Sequence, residues 1–261
     1  MKRFAVVAKQ NEKSANAKIR IENRLVNEGM ILDDANPELV ITVGGDGTLL
    51  YAVQNYIDVL DKIKFVSIHT GTLGFYTDYT EDQIDECLDN ILKGDIYEIY
   101  ESRLLEIEVI GNKKEKVYAL NEVRIESVLT TQTIDIYIDN EFFEKVRANG
   151  MCLSTQAGST AYNRALQGAV VDNGLSVLQL CEIAGIQDKT HTSLRVPYIM
   201  KDTRKVSFYS DHFKNTFLCY DHLNRVITDD VKSIECKMCD KSVKFVRFKR
   251  YSYLDRLRLL Y

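Results

Sequence analysis

The sequence predicts an α/β domain with a parallel sheet, followed by a β-rich domain with few helices. Up to about residue 98, apolar runs alternate with amphipathic helical patterns. This order is typical of a parallel sheet with helices on its faces. Beyond that point apolar and polar residues alternate, which is the pattern of half-buried strands. We therefore predict one domain at 1–98 and another at 99–249, with the tail, about 250–261, able to return to the first.

The elements of the first domain follow in order along the chain. RFAVVA (3–8) reads as a buried strand. Ser14 is a candidate N-cap for a helix through about Glu28, which Gly29 would end. LVITV (39–43) is a second buried strand, a helix is expected from Thr48, and KFVSI (64–68) is a third strand.

A further helix should close the first domain. Thr80-Glu81-Asp82-Gln83 has the form of a capping box, and Gly94 would end the helix. Its apolar residues recur at helical spacing and would share one buried face: Ile84, Cys87, Leu88, Ile91 and Leu92.

The second domain reads mainly as strands. LLEIEVI (104–110) and TIDIYID (133–139) alternate clearly, and Asp139-Asn140 supplies a turn. One helical pattern interrupts the strands after QAGST (156–160), with Tyr162, Ala165, Leu166 and Ala169 at helical spacing.

Composition narrows the class of protein. The chain has 261 residues and a net charge of −4, which gives no reason to expect nucleic acid or a membrane as partner. No apolar stretch reaches transmembrane length and the N-terminus does not resemble a secretory signal, so we expect a cytoplasmic protein. The six cysteines are scattered, and CKMC (236–239) lacks the second pair that a zinc site needs, so reduced structural thiols are expected.

The stretch most specific to chemistry is Gly44-Gly45-Asp46-Gly47-Thr48, between a strand and a helix. Glycines and a helix N-terminus suit a phosphate, but the stretch is neither a Walker A loop nor GxGxxG. A carboxylate beside phosphates repels them unless it orients a hydroxyl group towards phosphorus or helps to bind a metal. The alternative is a plain turn with Asp46 as a helix cap.

GGDGT resembles the signature of a kinase superfamily that includes NAD kinases, diacylglycerol kinases, sphingosine kinases and phosphofructokinases. Three further segments resemble the NAD kinase family, particularly its compact bacterial form: HTGTLGFY (69–76), LNEV (120–123) and RANGMCLSTQAGSTAYN (147–163). The resemblance implies transfer of phosphate from ATP, or polyphosphate, to the 2′-hydroxyl of the adenosine ribose of NAD, giving NADP. Phosphoryl-transfer chemistry leads us to expect a divalent metal such as Mg²⁺ as well. The resemblance also implies a homodimer or homotetramer formed through the β-rich, NAD-binding domain.

The resemblance also implies roles for individual residues. Asp46 is the catalytic carboxylate beside the 2′-hydroxyl of the adenosine ribose, and the phosphate loop consists of Gly44, Gly45, Gly47 and Thr48. The implied NAD-binding residues are Asp46, Gly47, Phe75, Tyr76, Asn121, Glu122, Arg147, Asn149, Ala157, Thr160, Ala161, Tyr162, Asn163, Ala165, Ala184 and His222.

Three positions depart from the family pattern. Asn149 stands for an acid, Gln156 for a proline and Ala157 for a hydroxyl residue. They leave open a nucleotide-binding regulator of the same fold with weak catalysis. A lipid kinase that shares GGDGT is a further alternative, which the GSTAYN segment disfavours.

Overall fold

The computed structural model describes residues 1–71, 74–186, 192–211, 213 and 215–258. The chain forms two compact units. One consists of Met1–Ser102 together with the segment from Lys241 onwards, and the other of Arg103–Asp240. The functional roles given to the predicted domains, 1–98 and 99–249, remain predictions.

The first unit contains a parallel sheet with helices. Its strands are β1 (Arg3–Ala8), β2 (Ile31–Leu32), β3 (Leu39–Val43), β4 (Lys64–His69) and β5 (Tyr79–Thr80). Its helices include α1 (Glu12–Asn27), α2 (Asp46–Asn55) and α3 (Ile84–Lys93), with short 3₁₀ turns at Leu60–Lys62 and Glu81–Gln83. The strand order is β2-β1-β3-β4, and all neighbours run parallel.

The core of the first unit lies between the sheet and two helices. From α1 come Ala17, Ile21 and Leu25, and from α3 come Ile84, Cys87, Leu88 and Ile91. They pack on alternate residues of the strands: Phe4, Val6, Leu39, Ile41, Val43, Val66 and Ile68. The alternation is that of a pleated sheet.

Two helix starts differ from the prediction. The N-cap of α1 is Asn11, whose side chain accepts from the backbone N–H of Ser14 at 2.8 Å. Ser14 itself is fully buried and shares a hydrogen bond with Thr70. Helix α2 begins at Asp46 rather than Thr48. The capping box of Thr80 and Gln83 is confirmed.

The second unit is built from antiparallel strands. In chain order the remaining elements are β6 (Glu98–Ile110), β7 (Lys114–Ala119), β8 (Glu122–Ser127), β9 (Gln132–Ile138), β10 (Glu141–Ala148), β11 (Gly150–Thr155), a 3₁₀ turn (Ala157–Thr160), α4 (Tyr162–Ala165), β12 (Val177–Ile183), β13 (Tyr198–Lys201), β14 (Val206–Tyr209), β15 (Thr216–Tyr220), β16 (Leu223–Val226), β17 (Ser233–Arg247) and α5 (Tyr253–Leu257). Strands β6 and β17 contain the positions at which the chain passes between units, and α5 belongs to the first unit.

Two groups of strands enclose the core of the second unit. One has the order β13-β12-β11-β8-β15-β16, and the other runs β10-β9-β14-β17. Their buried residues form one cluster, which includes Ile125, Ile136, Leu153, Phe208 and Ile234. The predicted fold class, an α/β parallel-sheet domain followed by a β-rich domain with few helices, is confirmed.

Helix α4 is shorter than its apolar spacing suggests, because the chain turns before Ala169. Gln167 has a positive φ of 61°. The side chain of Gln179, on β12, then binds both the N–H and the carbonyl of Ala169. A tertiary contact therefore removes Ala169 from the helix.

Candidate active site

The glycine-rich turn joins β3 to α2 in the first unit. Gly45 is the N-cap of α2 and provides no side chain to cap it, so Asp46 and Gly47 begin the helix with backbone N–H groups that lack intrahelical acceptors. Gly44 must be glycine, because a Cβ atom there would lie 2.1 Å from Oγ1 of Thr48. The turn thus presents backbone donors and the positive end of a helix dipole, which together suit a phosphate.

Asp46 is held by the backbone of a second loop, residues 74–77, which follows β4. Its carboxylate accepts from the N–H of Phe75 at 2.9 Å and from that of Tyr76 at 3.1 Å. Gly74 permits this approach, since a Cβ atom there would lie 2.1 Å from Oδ1 of Asp46. The loop therefore fixes the direction in which the carboxylate points.

The electrostatic surroundings of Asp46 have opposing effects. Burial raises the pKa of its carboxyl group, whereas the two backbone N–H groups, Arg256 and His69 lower it. Burial also lowers the pKa of His69, at the end of β4. Within the segment 69–76, Thr72 and Leu73 lie outside the described residues.

Two cavities open beside the phosphate loop. One, of about 380 Å³, is lined by Ala8, Lys9, Gln10, Gly45, Gly47, Thr48 and Tyr51. The other, of about 440 Å³, shares Ala8, Lys9, Gln10 and Tyr51 with it and extends to Asn55 and Tyr56. The shared lining makes them neighbouring parts of one groove, with the glycine turn at one end and the exposed cation Lys9 on its wall.

The second unit brings together Asn121, Glu122 and the segment after β11. The N–H of Asn121 donates to Asp221 at 2.7 Å, and the carbonyl of Asn121 accepts from the N–H of Thr155. Glu122 is 4 % exposed. Among the described residues, no donor reaches its Oε2.

Glu122 is prone to hold a proton. Burial, and then Asp221, raise the pKa of its carboxyl group to about 7, while Arg124 and the N–H of Tyr162 act in the opposite direction. A buried carboxyl group with an oxygen that no described donor reaches is suited to a ligand that brings hydroxyl donors.

Most of the other predicted residues of the second unit lie around α4. The guanidinium of Arg124 lies 3.8 Å from the centroid of the Tyr162 ring, and the Tyr162 hydroxyl contacts Glu126 at 3.3 Å. Asn163 is fully buried and accepts from the Cys181 thiol. Ala157 and Thr160 bound the 3₁₀ turn, Ala161 links it to α4, and α4 ends at Ala165.

Two of the departures from the family pattern have structural partners. The Asn149 amide donates to the carbonyl of Ser127 at 3.1 Å, which a carboxylate could not do. The Gln156 amide donates to the carbonyl of Val171, and its φ of −56° is one that proline also adopts. This hydrogen bond connects the turn at Gln156 to the segment that follows α4. Ala157 has no comparable explanation in the structure.

Three predicted residues lie at the ends of strands in the second unit. Arg147 is exposed on β10, and its carbonyl accepts from the N–H of Ile186. Ala184 follows β12 with a positive φ of 48°. His222 lies in the turn between β15 and β16, and burial lowers its pKa.

Sequence reasoning did not identify the residues that hold these sites in place. Gly74, Tyr251 and Arg256 act on the Asp46 region, and Asp221 holds the backbone at Asn121. The C-terminal segment from Lys244 onwards mixes basic and aromatic residues, but that composition by itself indicates packing on a domain or subunit rather than a role at a site.

None of the described helices has the length and apolar character that a membrane crossing requires. The part of the chain that the structure describes also contains no cluster of three His, Cys, Asp or Glu side chains arranged to hold a metal. All six cysteines are free thiols.

Comparison with known families places both halves of the chain. Residues 3–96 match the ATP-NAD kinase N-terminal domain, and residues 120–248 match the ATP-NAD kinase C-terminal domain. NAD kinase 1 of Bacillus subtilis (strain 168) is 37% identical over 98% of this chain and 97% of its own. The NAD kinase of Geobacillus stearothermophilus is 34% identical over 98% of this chain and 94% of its own.

Solved structures share the fold. Yeast NADH kinase complexed with NADH superimposes with a TM-score of 0.86 at 18% identity, over 100% of this chain and 86% of its own. An NAD kinase from Archaeoglobus fulgidus in complex with ATP gives a TM-score of 0.77 at 21% identity, over 98% of this chain and 99% of its own. Both halves and nearly the whole length thus agree with one family, and the chain belongs to the ATP-NAD kinases.

Proposed function

We propose that the protein is an NAD kinase, which transfers the γ-phosphoryl group of ATP to the 2′-hydroxyl of the adenosine ribose of NAD and so forms NADP. Family membership over both domains supports this reaction. The relatives that the chain matches over nearly their full length carry the same name.

The observation that carries the proposal is the setting of Asp46. Asp46 is the first residue of α2, a helix whose first backbone N–H groups can bind a phosphate. Its carboxylate is oriented by the backbone N–H groups of Phe75 and Tyr76, which lie in another loop. An acid is useful beside transferring phosphate when it holds the attacking hydroxyl. Asp46 remains a far weaker base than the alkoxide of a ribose, so it orients the hydroxyl and accepts the proton late, as bonding to phosphorus develops.

NAD, which accepts the phosphoryl group, is assigned to the residues that match the NAD kinase pattern. Glu122 and Asn121 offer acceptors and a donor for ribose hydroxyls and adenine. No donor among the described residues reaches Oε2 of Glu122, and the pKa of this carboxyl group is raised; both observations support a ligand there that supplies donors. Phe75 and Tyr76 border the adenine, and Tyr162 frames it. The remaining assigned contacts are Gly47, Arg147, Asn149, Ala157, Thr160, Ala161, Asn163, Ala165, Ala184 and His222.

ATP, the phosphate donor, is assigned to the groove beside the phosphate loop. Its phosphates would lie against the amides of Gly45 and Gly47, with Lys9 supplying a positive charge from the wall. Mg²⁺ in such reactions is bound largely by substrate phosphates and water, so it would enter as part of the donor, MgATP.

The wider setting also belongs to the proposal. A homodimer or homotetramer formed through the β-rich unit is implied by the family resemblance and would be measured by sedimentation. Six free thiols suit a reducing compartment, which supports a cytoplasmic enzyme.

A coupled assay tests the reaction directly. Purified protein with NAD, ATP and Mg²⁺ should form NADP, detected with an NADP-specific dehydrogenase, and polyphosphate in place of ATP tests the other donor. Asp46→Asn should reduce kcat by about 10²–10⁴-fold while NAD still binds by calorimetry. Lack of NADP with either donor would refute the reaction, and a variant within a few-fold of wild type would refute the role of Asp46.

A further inference from the structure

The loop that orients Asp46 is itself held from outside. Its carbonyl groups point away from the carboxylate and are bound by the C-terminal segment. The Tyr251 hydroxyl donates to the carbonyl of Phe75 at 2.8 Å. Nη2 of Arg256 donates to the carbonyl of Thr77 at 2.7 Å. Burial raises the pKa of Tyr251, so its hydroxyl keeps the proton that it donates.

The rings of the same loop are packed as well. Phe75 lies with its ring centroid 5.9 Å from that of Tyr253, the first residue of α5. Tyr76 stacks on Phe245 of β17 at 5.5 Å, with 5° between the ring planes. Both residues that donate to Asp46 are therefore in contact with the C-terminal part of the chain: Phe75 with Tyr251 and Tyr253, and Tyr76 with Phe245.

Tyr251 in turn rests on a buried cation. The Arg247 guanidinium lies 3.6 Å from the centroid of the Tyr251 ring and 3.7 Å from Asp78, and Arg247 is 6 % exposed. Asp78 follows the loop directly. The C-terminal segment and the loop are thus joined at both ends of the loop, which leaves little freedom for the two N–H groups between them.

We propose that Tyr251 and Arg256 are positioning residues for the catalytic carboxylate: they lock residues 75–77 so that the N–H groups of Phe75 and Tyr76 hold Asp46 in its reactive direction. Neither needs to touch NAD or ATP to do so. The proposal rests on the proposed kinase activity for its kinetic consequence, but its structural consequence can be measured without any activity.

The proposal predicts a particular kinetic pattern. Loss of the lock should lower kcat, because the hydroxyl is no longer oriented. It should change the KM and Kd of NAD much less, because the rings of Phe75 and Tyr76 keep their own packing on Tyr253 and Phe245. The charged and titratable groups that act on Asp46 are Arg256 from α5 and His69 from the end of β4. Since Arg256 favours the ionised carboxylate, its removal should move the acid limb of the kcat–pH profile to higher pH.

Two disruptive variants, one conservative variant and two matched controls test the proposal. Tyr251→Phe removes one hydroxyl and keeps the ring beside Arg247, and Arg256→Gln removes the charge. Each should lower kcat by about 5- to 100-fold. Arg256→Lys, which can still donate to the Thr77 carbonyl, should recover part of the loss. The controls are Tyr97→Phe, which removes a mostly exposed phenol of the same unit, and Arg258→Gln, whose partner is Asp255 on the exposed side of α5.

Amide hydrogen exchange supplies the readout that does not depend on activity. In Tyr251→Phe and Arg256→Gln, the N–H groups of Phe75 and Tyr76 should exchange faster than in wild type and both controls. Unchanged exchange would overturn the lock whether or not the protein is a kinase. Faster exchange with unchanged kcat in an active enzyme would overturn the positioning role, as would a raised KM for NAD at constant kcat.

Discussion

At the scale of single residues, Glu122 is a carboxylic acid in a place that water hardly reaches. Its pKa of about 7 lies above the ordinary 4.5, because burial and Asp221 disfavour its charge. In the unfolded chain the same group ionises at a lower pH, near 4.5. Between pH 4.5 and 7 the folded protein therefore binds more protons than the unfolded one, and stability is lost as the pH rises through this window.

The variant Glu122→Gln should remove this dependence. Between pH 5 and pH 8, without ligand, the free energy of unfolding of wild type should fall by on the order of 2–3 kcal/mol more than that of the variant. Urea unfolding at a series of pH values measures the difference. Parallel curves for the two proteins would show that Glu122 is ionised throughout and that the assigned pKa is wrong.

Asn149 shows why an amide can replace an acid at a position that the family pattern assigns to binding. Its side-chain amide donates to the carbonyl of Ser127, the last residue of β8. Asn149→Asp at pH 7 would place a carboxylate against that carbonyl, so we expect a loss of about 1–3 kcal/mol in the free energy of unfolding. The loss should shrink below about pH 4, where a protonated carboxyl group can donate. A difference that stays constant with pH would mean that the hydrogen bond is not its source.

The residues of the site were predictable from the sequence to different degrees. Asp46 could be singled out because a carboxylate within three glycines has few other uses. Tyr251 and Arg256 could not, because their partners are backbone carbonyls of a distant loop, and a carbonyl leaves no mark in the sequence. The same holds for Asp221, which binds the N–H groups of Leu120 and Asn121.

At the scale of elements, two residues near the start of α1 could serve as its N-cap, and Asn11 is the one that does. Asn11 and Ser14 both suit an N-cap, but Ser14 is turned into the core towards Thr70. Asn11→Ala should therefore lower the free energy of unfolding by about 0.5–2 kcal/mol, the usual effect of losing a cap. Asn11→Asp, which retains an acceptor, serves as the control and should stay close to wild type. If Asn11→Ala had no effect, the cap would be supplied by another group.

Strands and long helices were predictable because their periodic patterns are also their packing patterns. LVITV became β3 with every residue buried, and the face predicted for α3 is the one that packs on the sheet, apart from the partly exposed Leu92. The length of α4 was not predictable, since the Gln179 side chain that binds Ala169 lies ten residues further along the chain. Local spacing cannot report such a competitor.

At the scale of the whole molecule, the first unit is discontinuous in sequence. Residues Lys244 and Phe245 of β17 pair with β4 of the parallel sheet, and Arg247 provides the cation beside Asp78. A chain truncated after Asp240 would leave Lys64 and Phe65, at the start of β4, without their partners on that edge, whereas Ile68 and His69 would keep their pairing with β5. It would also leave the Asp78 carboxyl group buried without its cation.

Truncation after Asp240 should therefore abolish cooperative unfolding of the first unit, with aggregation through the open edge of β4. Truncation after Arg258 keeps every contact described here and is the matched control. Circular dichroism and calorimetry would compare the two chains. A two-state transition of native size in the shorter chain would show that the first unit does not need its C-terminal part.

The same discontinuity has a consequence for biosynthesis. The sheet of the first unit includes the end of β17, which is translated only after the whole of Arg103–Asp240. At typical elongation rates that interval is about 7 to 28 s. During it the nascent chain carries an unpaired strand edge, while the contiguous second unit can already fold on the ribosome. The first unit is thus completed only after the second has been translated. Tyr251 and Arg256, the side chains that we propose to position Asp46, also lie beyond Asp240. A translation product interrupted before them should therefore need chaperones and should lack kinase activity.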